Sequence, residues 1–69
     1  MEAFIGFDGK PYSIGDKIQV NPDVPGGLGG ATGVVIGCRP TPKDRVRVVL
    51  DGHAGIKFAG SEDTFKSIS

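Results

Sequence analysis

The stretch Gly26-Gly27-Leu28-Gly29-Gly30-Ala31-Thr32-Gly33-Val34-Val35-Ile36-Gly37 decides the fold of this chain. Its first half is too rich in glycine for regular structure, and its second half is a β-branched run of the kind that fills strands. The spacing Gly26, Gly30, Gly33, Val35, a G-x-x-x-G-x-x-G-x-V pattern, predicts a tight excursion that feeds directly into a strand over Thr32–Arg39. Gly33 and Gly37 stand where such a strand bends or bulges. A bent strand in so short a chain implies a small curled sheet.

Working outward, Lys17-Ile18-Gln19-Val20 alternates polar and apolar residues, as a strand with one buried face requires. Between it and the bend lies the loop Asn21–Ala31, in which apolar Val24 and Leu28 predict packing against the core. Further upstream, Phe4-Ile5-Gly6-Phe7, Asp8-Gly9 and Lys10-Pro11-Tyr12 read as a hairpin, because Asp-Gly is a strong turn signal. Pro11 has no N–H, so the return arm belongs at an edge.

Downstream, Pro40-Thr41-Pro42-Lys43-Asp44 predicts a connecting turn. Arg45–Asp51 puts Val46, Val48 and Leu50 on one face and is expected at the centre of the sheet. The turn Asp51–Gly55 leads to a strand over Ile56–Ala59. Ser61-Glu62-Asp63-Thr64 predicts one helical or 3₁₀ turn capped by Ser61. A last strand over Thr64–Ile68 is expected to turn Phe65 and Ile68 inward.

Twelve Gly and five Pro in 69 residues leave no amphipathic stretch of helical length. The expected fold is therefore all-β: one domain over 1–69, with an N-terminal hairpin arm over 1–14 and an SH3-like small barrel of five short antiparallel strands over 15–69. An oligonucleotide-binding barrel would need longer strands and a helix. A core of this size supplies only about 3–5 kcal/mol.

Eight basic and eight acidic side chains cancel, so no whole-molecule field draws the chain to nucleic acid or to an anionic surface. One cysteine, Cys38, excludes an intramolecular disulfide, and a reducing, cytoplasmic setting is expected. The apolar runs Val34–Ile36 and Val48–Leu50 fall far short of a bilayer span, and no membrane association is expected. Arg39, Lys43, Arg45 and Arg47 form the one basic cluster, interrupted by Asp44.

Gly15-Asp16-Lys17-Ile18-Gln19-Val20, with Gly26, Gly30, Gly33 and Val35, resembles the KOW element of transcription elongation factors and ribosomal proteins, over roughly Gly15 to Val49. That resemblance implies an SH3-like barrel and contact with nucleic acid. The chain differs from the element by a few extra residues after Val20 and by Gly29, where the element carries a basic residue. Pro22-Asp23, Gly26-Gly27, Gly33-Val34-Val35 and Phe58-Ala59-Gly60 through Phe65 are similar to the SH3-like domains of the Mind bomb type, which implies a peptide segment as partner. The tryptophans typical of those domains are absent.

The order Gly15-Asp16-Lys17, glycine bend, Thr41-Pro42 turn and final strand is similar to the plasmid-type, tetrameric dihydrofolate reductases. Their short active-site strand, Val-Gln-Ile-Tyr, falls on Ile56-Lys57-Phe58-Ala59-Gly60 and does not match, which argues against that enzyme. A similar barrel also serves as an accessory subunit docked on photosystem I, so fold alone does not fix function.

His53 is the sole group expected to titrate near neutrality, and catalysis would need Cys38 as nucleophile or Asp51 as orienter beside it. The acids Asp8, Asp16, Asp23, Asp51, Glu62 and Asp63 are scattered, without the alternation of a calcium loop. No catalytic residue, metal or cofactor is expected. Two binding readings stand: a protein or peptide segment held by Tyr12, Val24, Leu28 and Phe58, or nucleic acid held by Arg39, Lys43, Arg45 and Arg47. A homodimer through Phe4, Ile5 and Phe7 is also expected.

Overall fold

The computed structural model describes residues 3–52 and 55–68. Among them the chain forms β1 (Phe4–Ile5), β2 (Pro11–Tyr12), β3 (Lys17–Val20), β4 (Thr32–Cys38), a 3₁₀ turn (Pro42–Asp44), β5 (Val46–Leu50), β6 (Lys57–Gly60), a second 3₁₀ turn (Glu62–Thr64) and β7 (Phe65–Ser67). The fold is all-β. β1 and β2 pair as a two-stranded hairpin, and the other five strands make an antiparallel sheet in the order β6-β5-β4-β3-β7. This arrangement is compatible with a small β-barrel-like fold.

The hairpin forms where the sequence predicts it, with Phe4 opposite Tyr12 and Ile5 opposite Pro11. Its turn is longer than a two-residue Asp-Gly turn. The Gly9 amide donates to the Gly6 carbonyl at 3.0 Å and the Gly6 amide to the Lys10 carbonyl at 2.9 Å, so Phe7 and Asp8 are the corner residues. A three-residue loop with glycine in its last place is the next commonest hairpin connection. Phe7 therefore lies in the turn and does not extend the strand.

β4, and not β5, is the central strand. Its first residues pair with β3 and its whole length with β5, with a register shift between Val35 and Gly37. The shift makes Ile36 an extra residue opposite the Val48–Arg47 step, which is a β-bulge. A bulge exchanges the faces of everything beyond it. Gly33 and Val35 face the core before the bulge, Ile36 is exposed, and Cys38, paired with Val46, packs against the core after it.

Gly33 is obligatory for a different reason. It lies between Ile18 and Leu50 in the sheet, and a Cβ there would collide with the Val49 carbonyl oxygen. Gly30 introduces β4 at φ +83°, a left-handed conformation costly for other residues, and its amide returns to the Val20 carbonyl at 2.9 Å. These two positions bring the loop Asn21–Ala31 back onto β3.

The core consists of Phe4, Tyr12, Ile18, Val20, Val35, Val46, Val48, Leu50 and Phe65, with no buried polar residue among the described ones. Phe58 of β6 meets Phe65 of β7 edge to face at 5.9 Å between centroids. These rings sit on the two outermost strands, so the sheet curls until its edges approach across the core. Val24 and Leu28 pack against that core, as their place in the loop predicts.

Three local expectations are corrected. Ile68 follows β7 and is 43% exposed, because it pairs in register with Lys17 on the outer face while Phe65 takes the inward position. Ser61 does not cap the second 3₁₀ turn: its hydroxyl goes to Asp63 and Thr64 side chains. Phe4 is completely buried, so a dimer surface made of Phe4, Ile5 and Phe7 cannot include it.

Gly33→Ala is expected to cost about 2 kcal/mol, as an overpacked core site does. In a domain this small that corresponds to a thermal midpoint lower by roughly 8–16 °C. Gly37→Ala is the control, since a Cβ there meets nothing within 4 Å. Equal midpoints for the two variants would refute the close approach at Gly33.

Candidate functional site

The predicted groove residues divide between core and rim. Tyr12 is 1% exposed, its ring lies 5.5 Å from that of Phe4, and its hydroxyl donates to the Glu62 carbonyl at 2.6 Å. It therefore presents no face to a partner. Phe58 is half-buried against Phe65, and Val24 and Leu28 lie partly buried on the core. Sequence alternation could not separate Tyr12 from a surface aromatic, because β2 is only two residues long.

The basic residues are drawn in different directions. Arg39 pairs with Asp44 at 3.3 Å, and both lie in the connection between β4 and β5. The Arg45 guanidinium donates to the Arg39 carbonyl at 3.2 Å and stands 5.4 Å from the centre of the Phe4 ring. Lys43 is exposed on the first 3₁₀ turn, and Arg47 sits on the outer face of β5 opposite Ala59. The four do not converge on one point. Of the Cys38–His53 pairing, His53 lies outside the described residues, while Cys38 belongs to the core margin.

Concavity occurs elsewhere. A cleft of about 590 Å³ is lined by Ile5, Gly6, Pro40, Pro42, Arg45, Ser61, Glu62 and Asp63. Three connections build it: the hairpin arm, the turn after β4 and the turn after β6. Glu62 locks two of these together. Its carbonyl accepts the Tyr12 hydroxyl, and its carboxylate accepts the Ile5 amide at 2.7 Å. Ile5 is 49% exposed, and with Pro40 and Pro42 it supplies the apolar lining. Arg45 and the acids Glu62 and Asp63 supply opposite charges within the same cleft.

Residue types alone did not mark this cleft. Pro40 and Pro42 signal a rigid connection, and Glu62 and Asp63 a helical turn, yet nothing in the spacing says that the hairpin arm folds back between them. The prolines Pro40 and Pro42 in an exposed connection are the available signal.

No protein-family model, curated protein or solved structure matches this chain.

Burial pushes the Tyr12 phenol far above its ordinary range, and the nearby Glu62 and Asp63 charges add to the shift. An unfolded tyrosine ionises near pH 10. Because the folded-state pKa is raised, the stability from this group is complete below about pH 10 and is lost as pH climbs beyond it. Tyr12 is the chain's single tyrosine and there is no tryptophan, so near-ultraviolet phenolate absorbance reports it alone. The absorbance should rise together with the loss of far-ultraviolet circular dichroism. A phenolate that titrates near pH 10 in still-folded protein would contradict the burial of Tyr12.

Proposed function

We propose that this chain is an SH3-like small barrel acting as a non-enzymatic binding or accessory module for a protein segment. The observation that carries this reading is the cleft between the hairpin arm and the two 3₁₀ turns. Ile5, Pro40 and Pro42 offer apolar contact in a lining that is rigid before a partner arrives. Prolines lose little freedom on binding, and Ile5 is held by the Glu62 carboxylate on its own amide. Arg45 with Glu62 and Asp63 gives such a segment a fixed direction through charge.

The sheet order supports the barrel assignment. A central bulged strand, four strands in meander and a 3₁₀ turn before the last strand follow the SH3-like plan. The loop residues Val24 and Leu28 and the ring of Phe58 then serve as the packing that shapes the barrel, with Phe58 contributing at its rim. The KOW-like alternative, nucleic acid on Arg39, Lys43, Arg45 and Arg47, has less support. Asp44 neutralises Arg39, and Arg45 is committed to Phe4 and to a carbonyl.

Affinity capture from native lysate, run with and without nuclease and at two salt concentrations, tests the proposal. A protein partner should remain after nuclease and moderate salt, and should be reduced at least fivefold by Ile5→Ser, which alters an exposed side chain. Capture that disappears with nuclease, or falls steeply with salt, would favour phosphate contacts instead.

A further inference from the structure

The two edges of the five-stranded sheet are treated differently. At β7 the hairpin turn covers the edge, for the Phe7 amide donates to the Phe65 carbonyl at 3.0 Å. At β6 the first 3₁₀ turn lies alongside, but among the described residues no turn or arm hydrogen-bonds to the outward main-chain groups of Lys57 and Ala59. The Leu50 amide donates to the Ile56 carbonyl at 3.0 Å, which fixes the alternation of the β5–β6 ladder. In this register Phe58 and Gly60 point their main-chain groups at Val48 and Val46. Lys57 and Ala59, both exposed, point theirs away from the sheet.

We propose that β6 pairs with β6 of a second copy of this chain, antiparallel about a two-fold axis at Phe58. The outward groups require this register. Lys57 and Ala59 must exchange hydrogen bonds across the axis, which gives four N–H to carbonyl bonds between the copies. Side chains then meet in complementary pairs. Lys57 stands beside Ala59 of the second copy, so the two ammonium groups are not opposed. Ile56, 49% exposed, stands beside Gly60 of the second copy, whose core side is already packed by the Thr64 side chain. The two Phe58 rings meet on the core side, where each already has Phe65 behind it.

The occupant is a second copy because the strand is complementary to itself. Any other register of β6 on β6 that satisfies the outward groups shifts by two residues: one way it opposes the two Lys57 residues, and the other way it pairs Lys57 with Ser61, beyond the end of β6, and keeps only the two bonds exchanged at Ala59. The contact is short, so it forms at high protein concentration. It lies on a different strand from the cleft, and loss of one does not imply loss of the other.

Sedimentation equilibrium of the full chain, from micromolar to millimolar, tests this. The average mass should rise toward twice the 7.1 kDa of one chain. Ala59→Pro removes an outward N–H that the fold does not use, and should stay at single-chain mass. Two further variants keep that N–H and so read the register. Ala59→Glu, facing Lys57 of the second copy, should associate several-fold more tightly, and Ala59→Lys several-fold more weakly, as opposed and like cross-strand charges do. Amide shifts on dilution should centre on residues 56–60. A wild-type mass that stays at one chain through the millimolar range, dilution shifts centred on residues 4–7, or association unmoved by both charge variants would each overturn the proposal.

Discussion

The constraint on which the structure depends is the absence of a side chain at Gly33. The residue sits in the middle of the sheet, on the core face, where the Val49 carbonyl occupies the space a Cβ would fill. That close approach lets β4 serve two neighbours while the sheet curls. Three positions later the extra residue Ile36 bends the same strand again. A flat five-stranded sheet would leave one broad apolar face in water. Curled, the sheet buries that face against itself, and Phe58 and Phe65 meet from opposite edges.

The hairpin arm completes what the curl leaves open. Phe4 and Tyr12 enter the core from outside the five-stranded sheet, and the second 3₁₀ turn holds the arm by both polar groups of Glu62. The Tyr12 hydroxyl is carried into the interior with its ring, and its bond to the Glu62 carbonyl satisfies it. The cleft is a consequence of this docking. An arm tied down at Ile5 and Tyr12 leaves a gap above Ile5, and the Pro40–Pro42 connection forms its other wall.

Much of the fold was legible in short-range pattern. Val46, Val48 and Leu50 on alternating positions of β5, Ile18 and Val20 on β3, and the apolar residues of the glycine loop all went where periodicity sends them. The β4 bulge was foreshadowed by Gly33 and Gly37, but its effect on Cys38 was not, since the extra residue reverses the faces beyond it. Ile68 takes the outer face and not the inner one, because a three-residue strand carries too little alternation to fix its phase. The candidate site was the least legible part. Its residues come from three separate connections, and only their packing, which depends on the burial of Tyr12, brings Ile5, Pro42 and Glu62 to one cleft.

The distribution of exposed apolar side chains separates folding from association. The core uses almost every aliphatic residue that strand alternation offers, yet Ile5, Ile14, Ile36, Ile56 and Ile68 stay at the surface. Ile36 is exposed as the extra residue of a bulge, a geometric cost of bending β4. Ile5 and Ile56 are different, because each lies beside backbone or concave surface that the fold leaves accessible: the cleft in one case, the outward edge of β6 in the other. A chain with zero net charge has little electrostatic protection against unwanted pairing at such places. Lys57 on the β6 edge is one such protection, and it discourages most strands from adding there. In the register centred on Phe58 it is offset from its own symmetry mate while all four outward bonds are made, so the same lysine that blocks general pairing leaves one specific pairing open.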